Sequence, residues 1–270
     1  MHGAFVAPTK KTKSEGERVL LVTMTGEPFQ PLRLYWSIPA RAVVTRVFAG
    51  LRCVVEEPDA RSWLWLYQDE ATAITFAKPY AEIAPEMHPI HIGRFRIPEK
   101  DRLVMELRSF ERAIEATKFF APLLGPKSVL RRARVINRWF EGHEAANGPE
   151  VLDRVLDQNV VVKDPSKAEE AFERAMAGTR TEAEKVAAFD RYAQERRKQD
   201  VPLVEDFPLN PEEETPEFRD LTMTLRLRQC RAAEHWKGNP ITLADYIHRI
   251  VKQGVASGAI KGVPLEFGTA

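Results

Sequence analysis

The chain is short of the residues that staple a fold, cradle a phosphate or cross a bilayer. Its 270 residues hold two cysteines, Cys53 and Cys230, too sparse for the disulfide framework of a secreted domain. Free thiols and a reducing cytoplasm are therefore expected. No run approaches the ~18 consecutive apolar residues of a membrane-spanning helix. Near the N-terminus Lys10, Lys11 and Lys13 are followed by Ser14, Glu15, Gly16, Glu17 and Arg18 rather than an apolar stretch, so no signal peptide is expected. Residues 1–17 read as a mobile basic arm.

Site chemistry is equally thin. Neither the Walker pattern nor the dinucleotide fingerprint occurs, and no nucleotide or other cofactor is expected. His88 and His91 share a short segment, but Cys53 and Cys230 lack the paired spacing of zinc ligands, so no metal site is expected. Cys230 and His235 lie ~140° apart on one predicted helix, which argues against a nucleophile–base dyad. The carboxylate neighbours Glu56 with Glu57, and Asp69 with Glu70, fall in predicted turns. No catalytic residue is assigned.

Charge of one sign is missing too, with 40 Lys plus Arg against 39 Asp plus Glu. That balance hides an asymmetry, because residues 90–140 carry twelve bases and five acids while 200–220 carry one base and eight acids.

What is present is an α+β pattern. Short runs of branched and aromatic residues predict strands at Val19–Met24, Leu32–Ile38, Leu51–Val55, Ser62–Tyr67, Thr72–Phe76, Ile90–Ile97 and Leu103–Arg108. A helix is expected after Pro39, a hairpin turn at Pro98–Asp101, and a helix opening at Ser109 whose apolar face packs on the sheet. The first unit then spans 18–126. Beyond it the spacing of Ser166 with Glu169, Thr181 with Glu184 and Thr242 with Asp245 predicts capped helices. The organisation is a helical region over 127–200, an acidic Pro-rich linker over 201–216 and a C-terminal helical region over 217–270. Asn159–Lys163 reads as an isolated strand.

Two constellations carry the functional expectation. Over Lys127–Phe140 a helical wheel gathers Val129, Ala133, Ile136 and Phe140 in one arc, and Lys127, Arg131, Arg134 and Arg138 nearly opposite. Such a ridge places cations a helical turn apart, suited to a phosphate backbone; the plainer alternative is a solvated face paired with the acidic linker. In Arg61–Tyr67, Trp63, Trp65 and Tyr67 share one strand face and Leu64 and Leu66 the other. The aromatic row can form a base-stacking platform flanked by Arg33, Arg94 and Arg96, or pack inside as core. The resulting expectation is a non-catalytic accessory subunit of a nucleoprotein assembly, bound to RNA or DNA and to a protein partner. The alternative is a protein-interaction or scaffold subunit without nucleic-acid contact, and an enzyme of unknown class comes third.

Overall fold

The computed structural model describes residues 18–58, 61–209 and 217–257; the predicted N-terminal arm lies outside them. In chain order the elements are β1 (Leu32–Ser37), α1 (Arg41–Ala49), β2 (Val54–Glu56), β3 (Ser62–Leu66), β4 (His91–Glu99), β5 (Arg102–Leu107), α2 (Phe110–Leu124), β6 (Val129–Ile136), α3 (Pro149–Asp153), β7 (Val161–Val162), α4 (Pro165–Met176), α5 (Glu182–Lys198), β8 (Val204–Pro208), α6 (Glu217–Trp236) and α7 (Leu243–Ala256). The fold is α+β. Among the described residues, those up to Lys163 with those from Leu203 to Arg226 form one compact unit, and Asp164–Pro202 with those from Leu227 form another.

The first unit is built on one sheet of order β2-β3-β4-β5-β1-β6-β8-β7, antiparallel except for β7 beside β8. Strand alternation divides its faces. Leu32, Leu34 and Trp36 of β1, Leu103, Met105 and Leu107 of β5, and Phe95 of β4 enter a core with Val44 and Phe48 of α1 and Phe110, Ile114 and Phe120 of α2. Ser109 starts α2 because its Oγ accepts the Arg112 amide at 3.0 Å, and Gly125 ends it at φ 77°, a conformation glycine adopts without strain. In the second unit Thr181 and Glu184 form the predicted capping box. The cap of α4 is Asp164 rather than Ser166, since Pro165 occupies the first helical position and the Asp164 side chain takes the Ser166 amide.

Several expected elements differ. Val19–Met24 makes only isolated bridges, and Thr72–Phe76 begins within a 3-10 turn at Asp69–Ala73. Asn159–Lys163 supplies β7, which is paired with β8 and not isolated.

The two largest corrections concern charge. Residues 129–136 are the strand β6 between β1 and β8, and no cationic helix forms there. Tyr35 pairs with Arg132 but Trp36 with Leu130, so Arg131 is an inserted bulge residue. That insertion breaks the two-residue period between buried Leu130 and Ala133, and with Ile136 and Phe140 following three and four residues apart the segment imitates a helix. The expected linker contains β8, in which Glu205 and Asp206 are fully buried. Pro202 precedes the strand and Pro208 ends it, where a missing amide interrupts little of the ladder. Linker residues 210–216 lie outside the described residues.

Candidate functional site

The face of the sheet opposite α1 and α2 carries a second, smaller apolar cluster with Ile136, Leu152, Leu156 and Val204, and beside it cross-strand register lines charges into a row. Asp206 on β8 faces Arg134 on β6, Arg134 faces Arg33 on β1, Arg33 faces Glu106 on β5, and Glu106 faces Arg94 on β4. Opposite charges at facing positions hold such pairs. The one like-charge step, Arg33 beside Arg134, is bridged by Asp157, which accepts from Arg33 Nη1 at 2.5 Å and Arg134 Nη1 at 3.2 Å.

Each arginine in this row therefore has a carboxylate partner within the chain. Asp206 takes Arg132 through both oxygens, at 2.8 and 2.6 Å, and Arg134 at 3.1 and 3.0 Å. Arg132 and Arg134 both lie against the Tyr35 ring, 5.7 and 5.8 Å from its centroid. Hydrogen bonding to Asp206 raises the Arg132 pKa above its ordinary value. Burial works against the Arg33 charge, but Asp157 and Glu106 outweigh it and hold that guanidinium above its usual range. Arg33 in turn depresses the Asp157 carboxyl.

The residues singled out from sequence separate accordingly. Arg94 and Arg96 do share a face with Arg33 and Arg134; Arg94 Nε donates to Glu57 at 2.7 Å and Arg96 pairs with Glu106. Arg138 lies beyond β6, donating to Glu144 at 2.6 Å with its guanidinium 4.1 Å from the Phe140 ring centroid. Lys127 and Arg131 are exposed, and among the described residues neither has a charged partner. The aromatic row takes the core alternative. Trp63 is 3% exposed and Trp65 and Tyr67 are fully buried, on the helix-covered face and away from the arginines. Trp65 meets Phe120 at 5.1 Å and Phe95 at 6.3 Å, while the Tyr67 hydroxyl donates to the Ile74 carbonyl at 2.7 Å. A row packed inside presents no surface for bases to stack on.

At one end of this face is a pocket of about 640 Å³, walled by α3 and the turn after it. Leu64, Ile92 and Leu156 contribute apolar surface, and the charged lining includes Arg33, Arg94, Arg108, Arg112, Glu57 and Glu106. Asp153 and His91 also reach it. Arg112 is a buried cation reaching the pocket from the first turn of α2. Its Nη1 donates to the His91 carbonyl at 3.2 Å and its Nη2 to Thr25 Oγ1 at 2.7 Å, while Nε has no hydrogen-bond acceptor. Burial pushes this guanidinium down to about 10, opposed by Glu27 at 3.7 Å, so it stays charged at neutral pH. Asp153 accepts from Arg108 at 2.7 Å, yet burial keeps its carboxyl above the usual range. Burial and the nearby Arg108 charge lower His91, favouring neutral imidazole.

Glu57, Glu106, Arg108, Arg112 and Asp153 carried no local signal as a group. They come from β5, α2, α3 and the residues that directly follow β2 and β5, and only the sheet register and the packing of α3 bring them together. No family model, curated protein or solved structure matches the chain.

Proposed function

We propose that the chain is a binding protein that takes a small polar molecule in the pocket over β4 and β5. One observation carries the reading: the cavity has the size of a small-molecule site, and its charged walls keep unspent hydrogen-bonding capacity. Arg94 donates through Nε to Glu57 and through Nη2 to Ser62 Oγ, and Arg108 through Nη2 alone. Further guanidinium N–H groups remain. With both cysteines free, the expected setting is the cytoplasm.

The test is thermal melting of the whole chain with a panel of charged aliphatic molecules: amino acids, diamines, dicarboxylates and ω-amino acids. A ligand at a hundredfold excess over its Kd adds ~2.7 kcal/mol of stability, which a melting curve resolves. At least one member is expected to raise Tm, and Leu64→Trp, which fills the pocket, is expected to abolish that rise. A panel without effect overturns the reading.

The accessory-subunit reading keeps support from Lys127 and Arg131, exposed together at the start of β6. It predicts salt-dependent retention on heparin and immobilised RNA that weakens in the Lys127→Gln, Arg131→Gln double variant. Equal elution of variant and parent removes it. A chain that ignores both matrices but co-purifies with another polypeptide supports the scaffold alternative instead.

A further inference from the structure

We infer that the pocket over β4 and β5 selects a short aliphatic zwitterion whose cationic and anionic groups are separated by several methylenes; this rests on the binding reading above and names its ligand class.

The charged groups of the lining are ion-paired within the chain, Arg108 with Asp153, Arg112 with Glu27, Glu106 with Arg33 and Arg96, and Glu57 with Arg94, and what differs along the lining is which polar atoms are left unspent. At one end, Arg108 and Arg112 stand a single helical turn apart in sequence, with His91 beside them. Arg112 is 3% exposed, its Nε is enclosed 3.7 Å from the Glu27 carboxylate and both Nη groups already donate, so the donors open to a ligand here are those of Arg108, which spends only Nη2, on Asp153. The charge of Arg108 is among the influences lowering both Arg112 and His91, which places these basic groups within each other's field. An anion relieves that repulsion and accepts the spare donors. At the other end Glu106 Oε1 receives both Arg33 and Arg96, leaving Oε2 unpaired, and Glu57 spends only Oε2, on Arg94. Unspent carboxylate oxygens suit an ammonium group.

Glu106 and Arg108 follow one another two residues apart, on and just beyond β5, so the ends are separated by about 7 Å along the strand direction. Ile92 and Leu64 are apolar members of the lining, and no Phe, Tyr or Trp is among the lining residues. An aliphatic body gains apolar contact from Ile92 and Leu64. The spacing of the unspent groups suits an ω-amino acid better than an α-amino acid, whose two charges sit on adjacent carbons.

Calorimetric titration of the whole chain with 5-aminopentanoate, pentanoate and pentylamine tests the inference, since the three probes share one body and carry both charges, the anion alone or the cation alone. The zwitterion is expected to bind at least about tenfold more tightly than either analogue. Arg108→Gln is expected to reduce it to the affinity of pentylamine, and Glu106→Gln to that of pentanoate, with the melting curve of each variant reporting its fold. The three-probe comparison on the unaltered chain is decisive even if a variant is unstable. If either analogue matches 5-aminopentanoate, the zwitterion assignment is overturned and the binding reading survives. If none of the three binds and the only members of the melting panel that do are not ω-amino acids, the assignment also falls; if nothing on the panel binds, both fall.

Discussion

Asp157 is 54% exposed, yet it accepts from Arg33 through both oxygens and from Arg134 through one. Its depressed pKa means the folded state holds the charged form better than the unfolded chain does. That stability is present above the ordinary aspartate value of ~3.9 and is lost as pH falls through the lower folded value. Asp157→Asn is therefore expected to cost about 1 kcal/mol at pH 7, a figure kept small because solvent screens an exposed pair. Near pH 2 to 3 the difference from the parent should shrink, as measured by urea unfolding across pH. An equal cost at both pH values would show that the loss comes from packing. Asp153 runs the other way. Its raised carboxyl favours the protonated form in the folded state, so its contribution declines as pH climbs from the ordinary value through the folded one.

Among the elements, β4 shows how one missing side chain positions a core. Gly93 lies opposite Trp65, and a Cβ there would stand 2.9 Å from Leu107 Cδ2 and 3.1 Å from Trp65 Cε3. The glycine is needed for close approach of the indole, which packs among Phe95, Phe119 and Phe120. Gly93→Ala is expected to destabilise by about 1 to 3 kcal/mol through overpacking. Chemical denaturation measures this, and an unchanged midpoint would mean that the leucine and indole yield freely. Strand β6 gives a second lesson at this scale. Its bulge at Arg131 lets Leu130, Ala133 and Val135 all reach the core while Arg132 and Arg134 reach Asp206. Those arginines hold a strand into the sheet, which explains why so basic a segment presents so few open cations.

For the whole molecule, the chain leaves the first unit after Lys163 and returns at Leu203 to complete it. The returning segment brings the carboxylate that Arg132 and Arg134 require, together with buried Val204, Phe207, Leu209, Leu221 and Leu225. A fragment ending at residue 200 contains all of 18–126 but leaves β6 as an open sheet edge, with Arg132 deprived of Asp206 and Arg134 left with Asp157 alone. It is expected to lose cooperative thermal unfolding and to aggregate, because exposed edges template further pairing. A soluble fragment melting in one sharp transition would show that the sheet closes without β8.

Features governed by neighbours a few residues apart were legible in the chain. The α+β class, the β4–β5 hairpin, α1, α2 with its Ser109 cap, and the Thr181 capping box follow from periodicity, turn residues and local hydrogen bonding. Arg94 and Arg96 were legible as cations on a strand, though their carboxylates were not. Tertiary structure decided the features that depend on distant partners. The alternation of Trp63, Trp65 and Tyr67 was plain, but which face turned inward depended on α1 and α2 covering it. Asp206 reads locally as one acid among prolines, and it becomes a buried counter-ion because residues 72 and 74 positions earlier in the chain align beside it. Local patterns specify conformation; the pairing of charges and the pocket they line are set by sheet register, which no short stretch of sequence contains.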